Sequence, residues 1–126
     1  SNSSLVHTCY SRAFDLLCVV GARGEPGVAV YSGSSFVDGS LHKEKEASPL
    51  CHVAQGDPVT FVSVSDDDGE TDPGLLCVAH ESGRLTFFSL VACCSGKEEQ
   101  VHEVMLPEAI VEVKWRHREV VCLFQT

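Results

Sequence analysis

At 126 residues and 13.6 kDa the chain has room for one domain of ordinary size. Its 44% apolar and 21% charged residues suffice for a packed core, and eighteen acidic against nine basic residues leave a net charge of −9. That sign argues against nucleic acid and anionic membranes as partners. No apolar run reaches the ~20 residues of a membrane-crossing helix, and no transmembrane segment or signal peptide is expected.

Short apolar runs separated by Gly, Pro, Asp and Ser clusters predict β-strands throughout. The first is Leu16–Val20, joined by the loose Gly21–Gly27 turn to Val28–Tyr31. Residues 33–47 then read as a polar insertion, within which His42–Ala47 has the composition of either a solvated loop or one or two helical turns. Val59–Val64 alternates, with Val59, Phe61 and Ser63 on one face and Thr60, Val62 and Val64 on the other. The acidic stretch from Asp66 to Gly74, within the insertion 65–74, is expected to be a solvated loop.

Leu75–Ala79 and Arg84–Leu90 follow, joined by the tight turn His80–Gly83. Then come Val101–Leu106, Ile110–Trp115 and Val120–Phe124. In the middle strand of these three, Val111, Val113 and Trp115 are predicted to share the buried side, with Ile110, Glu112 and Lys114 opposite. The fold class is therefore all-β, with antiparallel sheets.

Leu16-Leu17-Cys18-Val19-Val20 and Leu75-Leu76-Cys77-Val78-Ala79 are near-copies 59 positions apart, and each precedes a Gly-containing turn and another strand. Val120-Val121-Cys122-Leu123-Phe124 reads as a third, partial copy. The repeat divides the single unit 1–126 into approximate stretches 5–53 and 54–106, with the start of another at 107–126.

Leu75 through Leu90 resembles the middle hairpin of a WD40-type blade, with Phe88-Ser89 standing where that family has Trp-Asp. A weaker similarity links Leu106–Val121 to the phosphoinositide-binding PROPPIN propellers. The paired lipid-binding arginines of that family have no match here, so no lipid site is carried over. The resemblance implies antiparallel four-stranded blades of a β-propeller. Because such propellers take about seven blades of ~40–45 residues, this chain would be an incomplete portion. A small closed barrel or sandwich is the alternative. The Gly-His pair and the Asp of Trp-Asp are missing, which implies loss of the buried Asp–His hydrogen bond that staples many WD40 blades.

Seven cysteines, an odd number without regular spacing, do not make a disulfide framework. Most sit in apolar runs and are expected to be buried free thiols of high pKa in a reducing compartment, cytoplasmic or nuclear. Cys51-His52 and Cys93-Cys94 are adjacent pairs that a strand would point to opposite faces, so no metal site is expected, although His42, His52 and His102 remain conceivable ligands. The aspartates lack EF-hand spacing, and Gly21-Ala22-Arg23-Gly24 lacks the helix and Lys-Ser or Lys-Thr of a phosphate loop. No catalytic residue or cofactor is expected. The candidate partner contacts are acidic Asp66, Asp67, Asp68 and Glu70, and basic Arg116, His117 and Arg118. The implied function is a non-catalytic protein–protein scaffold whose partners include protein segments completing the propeller. The alternatives are a small β-domain binding a ligand or lipid headgroup, and a Cys/His enzyme.

Overall fold

The computed structural model describes residues 7–21, 26–36, 48–68, 74–116 and 118–124. Among these residues ten strands form three antiparallel sheets, each a simple meander. The first contains β1 (Thr8–Ser11), β2 (Leu16–Val20), β3 (Val28–Ser32) and β4 (Cys51–Val53), hydrogen-bonded in chain order. The second repeats that order with β5 (Val59–Val64), β6 (Leu75–His80), β7 (Arg84–Ser89) and β8 (Gln100–Met105). The third is the hairpin β9 (Ile110–Arg116) and β10 (Glu119–Phe124). None of the sheets closes on itself, and the two Leu-Leu-Cys strands lie in different sheets as β2 and β6.

The predicted strands are present to within a residue or two, but two strands and a helix were not foreseen, and both polar insertions open with a 3-10 turn. β1 and β4 are only four and three residues long and mix apolar with polar residues, too little for an alternation to register. Leu90, expected to end a strand, instead begins a five-residue helix, α1 (Leu90–Cys94). Ser89 turns the chain there: its backbone is extended (φ −74°, ψ 122°), and its hydroxyl accepts the Ala92 N–H at 3.1 Å, an N-cap. His42–Ala47 lies outside the described residues.

Two bulges change which residues face the core. In β5 the register skips between Val59 and Phe61, opposite His80 and Ala79. Thr60 is the extra residue, and its hydroxyl lies 3.3 Å from the Ala79 carbonyl and 3.2 Å from that of Ile110. Val59 therefore joins Val62 and Val64 against the first sheet, whereas Phe61 faces the third. The expected grouping of Val59 with Phe61 is corrected by this inserted residue. In β9 the skip falls at Val111, between the partners of Leu123 and Phe124. Ile110, not Val111, is buried with Val113 and Trp115, reversing the expectation for those two positions.

Two apolar clusters hold the sheets face to face. Leu16, Cys18, Val28, Val30 and Val53 of the first sheet pack against Val62, Val64, Leu76, Val78 and Phe88 of the second, with Leu90 and Cys93 of α1 closing the end. From the opposite face of the second sheet, Cys77, Ala79, Leu85 and Phe87 meet Ile110, Val113 and Trp115. Phe87 and Trp115 cross edge to face, 6.0 Å between centroids at 82°. The Trp115 indole N–H donates to the Ser63 carbonyl at 3.2 Å, and the His7 Nε2–H to the Val62 carbonyl at 3.0 Å. Both side chains bond to carbonyls of β5, which among the described residues has a neighbouring strand on one side only.

Equivalent glycines close the turns into β3 and β7. Gly27 and Gly83 have φ of +85° and +96°, and each lies under the link leaving its sheet. A Cβ at Gly27 would come within 2.7 Å of the Val53 carbonyl oxygen, and one at Gly83 within 2.6 Å of that of Leu106.

Candidate interaction surfaces

Meander connectivity sorts the connections by end. The links β1–β2, β3–β4, β5–β6, β7–β8 and β9–β10 all lie at one end of the sheets, and the remaining links at the other. The described starts of the two long insertions, Gly33–Phe36 and Ser65–Asp68, consequently share one end with α1 and Arg116. Hydrogen bonds tie this end together. Leu90 N–H donates to the Gly74 carbonyl at 3.0 Å, and Gly33 N–H to that of Asp15 at 2.8 Å.

Asp66 differs from the solvated residue expected of an acidic loop. It lies in a 3-10 turn (Ser65–Asp68) that packs on β9, and it is only 7% exposed. Its Oδ2 accepts the Ala13 N–H at 3.0 Å, clasping the β1–β2 turn, while Oδ1 has no hydrogen-bond partner among the described residues. Asp67 and Asp68 continue the turn in backbone, and their side chains, like Glu70 and His117, lie outside the described residues. Arg116 and Arg118 are exposed at the β9–β10 turn. Among the described candidates, Asp66, Arg116 and Arg118 thus share one end of the sheets, with Asp66 serving as an internal anchor.

The surface that the candidate residues miss is the outward face of the third sheet. Register places Val121 opposite Lys114 and Leu123 opposite Glu112, as Cys77 is placed opposite Ser63 and Ala79 opposite Phe61. Val121 thereby occupies the position of Cys77, and Cys122 that of Val78. The partial third copy is offset by one residue from its sequence alignment, because the Arg116–Glu119 turn sets the pairing. Cys77 and Ala79 are fully buried, whereas Val121 and Leu123 are 44% and 54% exposed. Exposed Val111 lies in the same hairpin, and Glu112, Lys114, Val121 and Leu123 line a shallow groove of about 270 Å³. Among the described residues β10 pairs with β9 alone, which leaves its other edge open. An uninterrupted apolar run from Val120 to Phe124 was the available signal, since a strand apolar on both sides is built for burial on both.

One polar cluster has the outline of a catalytic relay. His80 Nδ1 lies 3.3 Å from the Asp57 carbonyl oxygen and 3.5 Å from its carboxylate, and His80 Nε2 is 2.9 Å from the Thr86 hydroxyl. A carbonyl can only accept, so Nδ1 carries the proton and the Thr86 hydroxyl donates to Nε2. Burial pushes the His80 pKa down, partly offset by Asp57, so the ring is neutral at pH 7. His80 and Thr86 are both sealed from solvent, which leaves no reachable nucleophile. Arg84 closes the cluster with ion pairs to Asp57 at 3.1 Å and Glu103 at 3.2 Å. This Asp57–His80 contact runs to the main-chain carbonyl, with the carboxylate farther off at 3.5 Å. The cluster links β6, β7 and the β4–β5 connection.

All seven cysteines are free. Burial is less uniform than expected: Cys18, Cys77 and Cys93 are buried, Cys9, Cys51 and Cys122 half-buried, and Cys94 exposed. Burial pushes Cys77 well up and also raises Cys122, whereas Cys51 is lowered by a hydrogen bond from the Cys93 thiol. Among the described residues no three His, Cys, Asp or Glu side chains are grouped to hold a metal ion, and no helix is long and apolar enough to cross a membrane. Comparison with protein-family models, curated proteins and solved structures finds no match for this chain.

Proposed function

We propose that this chain supplies two blades and part of a third to a WD40-like β-propeller, and that the assembly is a non-catalytic scaffold for protein partners inside the cell. The observation that carries the reading is the direction in which the sheets stack. Leu16 and Cys18 of β2 face the second sheet, and their register counterparts Leu75 and Cys77 of β6 face the third. Equivalent faces point the same way, so the contact is head to tail. A two-layer sandwich would instead turn both inner faces toward a single shared core. Successive head-to-tail sheets leave a forward face and a rear face uncovered until the series closes on itself. Val121 and Leu123 are exposed on the forward face; on the rear face Tyr10 is exposed and Leu17 and Val19 are half-buried, beside buried Ala29 and Tyr31.

In this reading the end bearing the insertions, Arg116 and Arg118 meets protein partners, while the uncovered faces receive further blades. Light scattering on the chain alone, against a Val121→Lys/Leu123→Lys variant, is the test. The unmodified chain should self-associate with rising concentration, and the charged variant should stay monomeric with an unchanged β-type circular dichroism spectrum. A monodisperse, cooperatively unfolding monomer at all concentrations would sink the propeller reading.

A further inference from the structure

The thiols of the first cluster are arranged rather than scattered. Across the first sheet, Cys9 stands opposite Cys18, Cys18 opposite Val30, and Val30 opposite Cys51, which puts three sulfurs in one cross-strand row. All face the core that separates the first two sheets, and Cys93 of α1 enters that core from the other side. Two contacts bracket the meeting of Cys51 with Cys93. On one side the Ala54 N–H donates to Glu98 Oε2 at 3.1 Å. On the other, the Gly96 backbone runs so close to Leu50 that a Cβ there would sit 3.2 Å from the Leu50 carbonyl oxygen. The stretch 93–98 is thus laid along β4, which brings Cys93 and Cys51 into one apolar cluster.

We propose that Cys51 and Cys93 are a peroxide-responsive thiol pair, closing to a disulfide that ties the outer strand of the first sheet to the helix of the second. The division of labour follows from their surroundings. Cys51 is half-buried and its thiolate is favoured by the Cys93 hydrogen bond, so it is the nucleophile that a peroxide can reach. Cys93 is buried, with a thiol pushed strongly up by that hydrogen bond and by burial, and acts as the resolving partner. The Cys51 thiolate attacks one oxygen of hydrogen peroxide, the O–O bond breaks, and the departing hydroxide takes up a proton, leaving Cys51 as a sulfenic acid and releasing water. Cys93 sulfur then attacks Cys51 sulfur as the S–O bond breaks. The Cys93 proton leaves with the hydroxide as a second water, so two thiols and one peroxide become one disulfide and two waters. The bond would add a covalent cross-link to a packing of two sheets held by apolar contact and a few hydrogen bonds.

The intact chain is treated with sub-millimolar hydrogen peroxide, remaining thiols are alkylated, and linkages are mapped by peptide fragmentation. A reductant-reversible Cys51–Cys93 link is expected, with Tm raised by about 5 °C or more before reduction. Cys93→Ser should leave a sulfenic acid on Cys51 that dimedone traps, and Cys51→Ser should abolish both trapping and linkage. If oxidation simply follows exposure, Cys94 reacts first, and that result overturns the proposal, as does a Cys9–Cys18 link in its place. An unchanged or lowered Tm in the linked protein overturns the locking. Mapping the unmodified chain decides the pairing even if a serine variant does not fold.

Discussion

Val121 and Cys77 hold the same position in successive sheets, opposite Lys114 of β9 and Ser63 of β5, yet one is exposed and the other buried. The difference lies in what stands beyond them. The third sheet covers Cys77, and no described element covers Val121.

Hydrogen exchange should register this asymmetry. β6 is paired on both edges, β10 on one. The outward-pointing amides of β10 are expected to exchange at least about 100-fold faster than those of Cys77 and Val78, as measured by native-state exchange. Equal protection would mean that another segment covers the β10 edge.

The equivalent glycines make a backbone prediction. Gly27→Ala and Gly83→Ala each impose a positive φ on alanine and drive its Cβ into a carbonyl oxygen. Each should cost about 2 kcal/mol or more in urea unfolding. Gly56→Ala, with open space around its Cβ, should change stability by less than about 0.5 kcal/mol.

His80 makes a pH prediction. Its pKa in the fold lies below the ordinary value, chiefly through burial, so the unfolded chain takes up the proton more readily. This contribution is fully present above pH ~6.5 and is lost as pH falls from there through the depressed folded pKa. Thermal unfolding between pH 7.5 and 5 should show Tm falling with acidity, and His80→Gln should flatten that part of the profile. Thr86→Val, which removes the hydroxyl that His80 Nε2 accepts from, should cost about 1–2 kcal/mol at pH 7.

Asp66 anchors the β1–β2 turn through the Ala13 N–H. Asp66→Ala is expected to destabilise the chain by about 1–2 kcal/mol in chemical denaturation, by stripping a partner from that amide. Were the residue only a solvated loop aspartate, the change would be near zero.

Strand content was legible wherever an apolar run stood between turn residues, as at Leu16–Val20, Val59–Val64 and Leu75–Ala79, because the pleat writes its period into neighbouring positions. β1 and β4 escaped because their neighbours across the sheet, rather than their own composition, hold them in place. Of the candidate contacts, the basic turn was legible as an exposed loop. Asp66 was not, since nothing local to Ser65-Asp66-Asp67-Asp68 announces a hydrogen bond to a residue fifty-three positions earlier.

By itself, then, the order of residues determined an all-β chain, its recurring Leu-Leu-Cys strand and the turns that separate strands, all properties carried within a few consecutive positions. Tertiary structure decided which side of each strand became core. Bulges at Thr60 and Val111 shift the faces, and the Arg116–Glu119 turn moves the third copy by one position. A slip of one residue exchanges inside for outside along a strand, and only pairing between distant segments can select the register.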